Sequence, residues 1–203
     1  MADHSRSRRS LVLVQERIDL GPGQAIRHEG DPSRCAVLLP GQFYPTRAPA
    51  LWFAREAVTS RGWSALEVLG EPGEHDDPLG WERECAERAL EASGAERPLV
   101  VGKSLATLLA REIAEQDLPA VWLTPLLNEA DVIDGLANAQ HPTLLGGDAD
   151  PTWLPDRVPD NPAIEVLELP GVDHAVQVPG NLRASAEALA RLVDGITRFV
   201  EAL

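Results

Sequence analysis

The chain has 203 residues, of which 44% are hydrophobic and 25% are charged, and this length and composition indicate one ordinary globular domain. Its 32 acidic residues exceed its 18 Lys and Arg residues, so the formal net charge is −14. Such a charge argues against nucleic acid as a partner, because phosphate contacts require clustered Lys and Arg. No apolar run approaches the roughly 18 residues that a membrane-spanning helix needs, so we expect no membrane partner.

The first residues are polar and basic, reading MADHSRSRRS, which predicts a flexible tail over residues 1–10. The apolar run after them, LVLVQ, is too short for the core of a signal peptide. Cys35 and Cys85 show no metal-ligand spacing, and each is interpreted as a small buried residue in a reducing compartment. We therefore expect a cytoplasmic protein with a single domain over residues 11–203.

The apolar pattern predicts an initial hairpin followed by alternating strands and helices. Residues 11–18 and 24–28 are typical of two antiparallel strands joined by a Gly-Pro-Gly turn, and residues 31–33 of a further turn. The elements predicted after them are, in chain order, strand 36–39, helix 48–60, strand 64–69, helix 81–92, strand 98–101, helix 104–114, strand 120–123, helix 128–139, strand 143–145, strand 163–169 and helix 181–203. This alternation predicts an α/β fold: a mostly parallel eight-stranded sheet with an N-terminal antiparallel hairpin and helices on both faces.

Candidate functional residues follow the predicted strands, at the edge where such sheets bind ligands. Ser104 follows the fifth predicted strand and His174 follows the eighth. Two acids, Asp148 and Asp150, follow the seventh. Each residue alone has a plainer interpretation, since serine often caps a helix and Asp-Pro often forms a turn. Their joint occurrence favours a nucleophile, an acid and a base at one site.

These residues resemble the α/β-hydrolase superfamily, and the resemblance covers nearly the whole chain after the tail. The nucleophile motif of that family is G-x-S-x-G, and its triad follows the order Ser, acid, His. Residues 102–106 read GKSLA, so alanine replaces the last glycine at a position that needs a small side chain. The resemblance implies that Ser104 is the nucleophile and His174 the general base. Lys103 occupies the variable position of the motif and is assigned no role.

The family spacing G-x-x-D-P matches residues 147–151, which makes Asp150 the acid that orients the histidine. Asp148 remains the alternative. The resemblance also implies two backbone amides that hold the oxyanion. One is that of Leu105 at the helix start. The other lies in the loop after the third strand, where Gln42 matches the family position and Phe43 is the next choice.

Residues 124–142 are too few to hold the lid domain that many relatives insert at this place, so we expect an open site. The candidate substrate-binding residues were chosen as sequence neighbours of the site, with core packing as the plainer alternative for each. They are Phe43, Tyr44, Leu105, Leu126 and Trp153. No metal-ligand cluster or phosphate loop is visible in the sequence, and we expect neither a metal nor another cofactor.

The sequence therefore predicts a small, lidless serine hydrolase that cleaves an ester or thioester of a small acyl substrate. The chemistry runs through an acyl-enzyme intermediate on the serine. Lactones and short peptides remain open as substrates, because the same three residues serve all of these bonds. The alternative is a non-catalytic protein of the same fold that binds a small molecule or a protein partner.

Overall fold

The computed structural model describes residues 16–203, so the tail predicted at residues 1–10 and the predicted strand residues 11–15 lie outside the described residues. The described residues form eight strands and five α-helices. The strands are β1 (Glu16–Asp19), β2 (Gln24–His28), β3 (Asp31–Leu39), β4 (Trp63–Leu69), β5 (Leu99–Lys103), β6 (Ala120–Leu123), β7 (Pro142–Gly147) and β8 (Glu165–Leu169). The helices are α1 (Pro49–Thr59), α2 (Pro78–Ser93), α3 (Ala110–Glu115), α4 (Ala130–Asn138) and α5 (Leu182–Ala202).

All eight strands join one sheet in the order β1-β2-β4-β3-β5-β6-β7-β8. β2 pairs antiparallel with both β1 and β4. Every other pair is parallel. The predicted mostly parallel sheet with an antiparallel N-terminal hairpin is confirmed, and the carboxyl ends of β3, β5, β7 and β8 meet at one edge.

Helices cover both faces of the sheet, as predicted. α2, α3 and α4 pack on one face and α1 and α5 on the other, each over its own apolar core. Neighbouring strand residues serve opposite cores: Val100 faces the first and Val101 the second, which is why such strands are apolar throughout. Cys35 and Cys85 are free and buried in these layers. No helix within residues 16–203 has both the length and the apolar character needed to cross a bilayer.

The turn predicted at residues 31–33 is wrong. β3 already begins at Asp31, which pairs with Trp63, and the register shifts before Cys35. The Asp31 side chain accepts a hydrogen bond of 2.9 Å from the Ser33 amide. That bond is typical of a turn, but here it stabilises a bulge inside a strand.

Two helix starts show how caps set the boundaries. α2 begins at Pro78, three positions before the predicted start, because Asp77 accepts a hydrogen bond of 2.9 Å from the Gly80 amide and proline suits the first helical position. The start of α5 follows the prediction. There Asn181 accepts a hydrogen bond of 3.0 Å from the Ala184 amide.

Candidate active site

Ser104 lies at an abrupt change from strand to helix. β5 ends at Lys103, and a 3₁₀-helix covers Ser104–Leu109 before α3 begins, so the predicted helix 104–114 starts in a tighter form. The φ angle of Ser104 is +52°, in the left-handed region. A non-glycine residue held there costs of order 1–3 kcal/mol, and such strain is concentrated at functional sites.

Small residues on both sides of Ser104 make this bend possible. A Cβ atom on Gly102 would lie 2.7 Å from the Trp122 ring and 3.0 Å from the Cβ atom of Ala106. Residue 102 must therefore be glycine. Alanine fits at position 106, in place of the second motif glycine, because the residue that faces it has no side chain.

A chain of hydrogen bonds joins Ser104, His174 and Asp150. The Oγ atom of Ser104 lies 2.8 Å from Nε2 of His174. The Nδ1 atom of His174 lies 2.8 Å from Oδ2 of Asp150. When Nδ1–H donates to the carboxylate, Nε2 is the ring atom free to accept the serine proton. The structure thus brings together the three residues that the sequence singled out.

Asp150 is buried, and Thr152 satisfies its second oxygen. The Thr152 amide and hydroxyl donate to Oδ1 at 2.9 and 2.8 Å. Burial raises the pKa of the Asp150 carboxyl, but the hydrogen bonds from His174 and Thr152 outweigh burial and hold the pKa below its ordinary value. An ionised Asp150 can therefore stabilise a positive charge on the histidine.

The competing acid, Asp148, is directed elsewhere. Its Oδ1 atom accepts a hydrogen bond from the Gly171 amide, which ties the loop after β7 to the loop after β8. Asp150 is thus the acid in contact with His174.

The turn after β3 lies against Ser104. Gly41 and Tyr44 exchange two backbone hydrogen bonds of 2.8 and 3.1 Å, which leaves Gln42 and Phe43 at the tip of a tight turn. A Cβ atom on Gly41 would lie 3.5 Å from the Cβ atom of Ser104. The turn and the serine are therefore in van der Waals range of each other.

Two backbone amides near Ser104 are available to bind an anionic oxygen. No hydrogen bond within residues 16–203 uses the Gln42 amide. Leu105 is the second residue of its 3₁₀-helix, and the first amides of a helix have no acceptor inside it. These are the two donors that the sequence analysis named.

Ser104 and His174 open on a cleft of about 540 Å³. Phe43 and Tyr44 line the cleft, and Phe43 is 73% exposed. The connection between β6 and β7 contains α4 and no further domain, so nothing in the described chain folds over the site as a lid.

Within residues 16–203, no three His, Cys, Asp or Glu side chains are grouped so that they could hold a metal ion.

Leu126 and Trp153 do not line the cleft, and their assignment to the substrate site is corrected to core packing. Trp153 is buried in the apolar core, and its Nε1–H donates to Glu168 at 2.8 Å. A Cβ atom on Gly146 would lie 2.0 Å from the Trp153 ring, so the end of β7 leaves room for it. Leu126 packs against the same core. Leu105 is also absent from the cleft lining, and its side chain is buried.

Lys103 is the site residue that the sequence analysis missed. It is 1% exposed and is one of the residues that line the cleft. Its Nζ atom donates to the backbone oxygen of His174 at 2.7 Å and to the Thr124 hydroxyl at 2.9 Å, and it lies 4.5 Å from the centre of the Tyr44 ring. No local pattern could have revealed these contacts, because the three partners lie on other segments of the chain.

No family model matches the chain, and no curated protein matches it. Several solved structures do match it, at low sequence identity. An α/β serine hydrolase without a lid from Xanthomonas campestris is 15% identical, with 93% of each chain covered and a TM-score of 0.65. Est1E from Butyrivibrio proteoclasticus, solved with ferulic acid bound, is 11% identical over 92% of this chain and 98% of that one, with a TM-score of 0.72.

A third structure, an α/β serine hydrolase homologue from Coxiella burnetii, is 13% identical over 91% of this chain and 95% of that one, with a TM-score of 0.66. Identities this low show a shared fold. The chain has the α/β-hydrolase fold in its form without a lid domain.

Proposed function

We propose that this protein is a serine hydrolase that cleaves a small ester or thioester through an acyl-enzyme intermediate. The observation that carries the proposal is the chain of hydrogen bonds from Ser104 through His174 to Asp150, at 2.8 Å for each link, opening on the cleft. The fold supports it, since structural neighbours are serine hydrolases.

In the first half of the reaction, Nε2 of His174 takes the proton of Ser104 as Oγ attacks the acyl carbon. The carbonyl oxygen gains a negative charge, which the amides of Gln42 and Leu105 stabilise. As the tetrahedral intermediate collapses, the imidazolium gives its proton to the leaving oxygen or sulfur. The acyl group is then an ester of Ser104.

In the second half, His174 takes a proton from water, whose oxygen attacks the acyl-enzyme. The same amides hold the second oxyanion. Collapse releases the acid, and the proton on His174 returns to Ser104. Throughout both halves Asp150 remains ionised and stabilises the imidazolium. The open cleft and the exposed Phe43 ring favour a small-molecule acyl substrate, and the net charge of −14 disfavours nucleic acid.

Labelling with a fluorophosphonate tests the proposal, because only an activated serine reacts with it. We expect the wild-type protein to carry one adduct, at Ser104, and to hydrolyse activated esters and thioesters. Ser104→Ala should lose both adduct and turnover. Ser33→Ala, on the exposed part of β3, should behave like the wild type. Absence of a wild-type adduct together with unchanged turnover in Ser104→Ala supports the alternative of a non-catalytic binding protein.

A further inference from the structure

One buried ammonium contacts three of the segments around the candidate site. Lys103 ends β5 and directly precedes Ser104. Its Nζ atom reaches His174 after β8, Thr124 after β6 and the Tyr44 ring after β3. The proposed nucleophile, base and oxyanion turn are therefore joined through a single side chain.

Two of these segments have strained backbones. Thr124 has a φ angle of +44°, and Val176, two positions after His174, has a φ angle of +60°. Both residues are β-branched, and such residues rarely adopt positive φ. Conformations of this kind persist only where the surroundings hold them. Lys103 donates a hydrogen bond to Thr124 and to the segment that contains Val176.

The charged and titratable groups that face Lys103 come from each neighbouring loop. Asp150 follows β7, Asp173 and His174 follow β8, and Tyr44 follows β3. Burial lowers the pKa of the Lys103 amine to about 8, although Asp150 and Asp173 both act to raise it. The folded protein thus holds a cation in a place where a charge is costly.

We propose that Lys103 is a positioning residue whose ammonium fixes the main chain of His174, so that Nε2 stays within hydrogen-bond reach of Ser104. The inference rests on the proposed hydrolase function. A displacement of about 1 Å in a catalytic group can lower the rate about 10²-fold. The positive charge strengthens this positioning, because an ammonium donates stronger hydrogen bonds than a neutral amine and is attracted to the face of the Tyr44 ring.

The proposal predicts a loss of activity at alkaline pH. The ammonium is present below the Lys103 pKa of about 8 and is lost above it. kcat should therefore fall as the pH rises through that value. Lys103 is the only lysine in the sequence, so isotope-labelled lysine gives one side-chain NMR signal. Its titration should coincide with the alkaline limb of kcat.

Lys103→Met keeps the length of the side chain and removes its charge. We expect kcat to fall about 10–100-fold while KM stays within about threefold. The rate of fluorophosphonate labelling should fall in parallel, and the alkaline limb should disappear. The melting temperature should fall, because the buried His174 carbonyl and Thr124 hydroxyl lose their donor, so kcat and labelling are measured at a temperature at which the variant is folded. If the role of Lys103 were merely structural, the melting temperature would fall while the kcat, the labelling rate and the alkaline limb of the folded variant stayed as in the wild type.

Thr124→Val tests the inference without altering the lysine. The substitution removes the Thr124 hydroxyl that accepts from the ammonium. Loss of this acceptor favours the neutral amine and so lowers the Lys103 pKa. The NMR titration and the alkaline limb should both move to lower pH by the same amount. If Lys103→Met does not fold, Thr124→Val alone still tests the role of Lys103.

The outcomes separate the two proposals. A wild-type protein that labels at Ser104, beside a folded Lys103→Met that labels at the same rate, overturns the role of Lys103 and leaves the hydrolase intact. The role is also overturned if the NMR titration moves in Thr124→Val while the alkaline limb does not. A wild-type protein that fails to label overturns the hydrolase function itself, and the role of Lys103 with it.

Discussion

Asp148 and Asp150 lie in the same loop after β7, yet their carboxylates serve different partners. Asp150 contacts Nδ1 of His174 at 2.8 Å, whereas Asp148 accepts a hydrogen bond from the Gly171 amide. One acid can thus orient the histidine while the other braces the loop that carries it.

Replacing these two acids separates their roles. Asp150→Asn should lower kcat about 10⁴-fold, because an amide in this position favours the wrong tautomer of the histidine. Asp148→Asn should change kcat little, since its amide oxygen can still accept from Gly171. Steady-state turnover of one activated ester measures both. A large loss in Asp148→Asn with an active Asp150→Asn would transfer the role to Asp148.

Much of the fold could be predicted because its signals are local. The short apolar runs that end at glycine or proline mark buried strands, and Ser104 and His174 follow two of them. Once the parallel sheet is predicted, the shared edge of its strands already places these distant residues near one another. The tight 3₁₀ start after Ser104 was not predictable, because apolar spacing does not distinguish it from an α-helix.

The errors concern residues whose surroundings depend on distant segments. Trp153 is a core residue because Gly146, on β7, leaves space for its ring. The contacts of Lys103 with Thr124 and His174 span 21 and 71 positions of the chain. Proximity to the site in sequence therefore suggested the wrong pocket walls, and it left out the lysine beside the nucleophile.

The Gln42 amide can be removed without touching an existing hydrogen bond. Neither of the bonds that close the turn between Gly41 and Tyr44 uses it. Gln42→Pro should lower kcat about 10²–10³-fold, the usual loss for one oxyanion donor. Gln42→Ala, which keeps the amide, should stay near the wild-type rate. Equal kcat values for both variants in the folded state would exclude this amide as a donor.

The close approach of Gly102 and Ala106 sets the size limit at the bend. Ala106→Val adds two methyl groups to a fully buried side chain whose Cβ lies 3.0 Å from where a Cβ on Gly102 would stand, and overpacking of this kind costs about 1–3 kcal/mol. Ala106→Gly restores the family motif and should cost at most about 1 kcal/mol, through added chain entropy. Urea unfolding measures both. An unchanged midpoint in Ala106→Val would contradict the close crossing.

A second buried ion cluster lies under the loop that leads from the oxyanion turn to α1. Glu67 on β4, whose side chain is 2% exposed, accepts a hydrogen bond from Arg55 at 2.9 Å and contacts His28 at 2.8 Å and Arg47 at 3.6 Å. Glu67→Gln should lower the free energy of unfolding by about 3–5 kcal/mol, as when one partner of a buried ion pair is removed. Glu56→Gln is the matched control. Glu56 also pairs with Arg55, but its side chain is 47% exposed, so the loss of its charge should cost under about 1 kcal/mol.

The same cluster should make stability depend on pH in the acid range. Burial raises the pKa of the Glu67 carboxyl, but the hydrogen bonds from His28 and Arg55 outweigh it and keep the pKa below the ordinary 4.5. A depressed carboxyl pKa stabilises the fold fully above 4.5, and this contribution is lost as the pH falls through the lower folded-state value. The difference in unfolding free energy between the wild type and Glu67→Gln should therefore shrink as the pH falls below 4.5. Urea titrations at several pH values measure it, and a difference that grows on acidification would show that Glu67 is protonated in the folded protein.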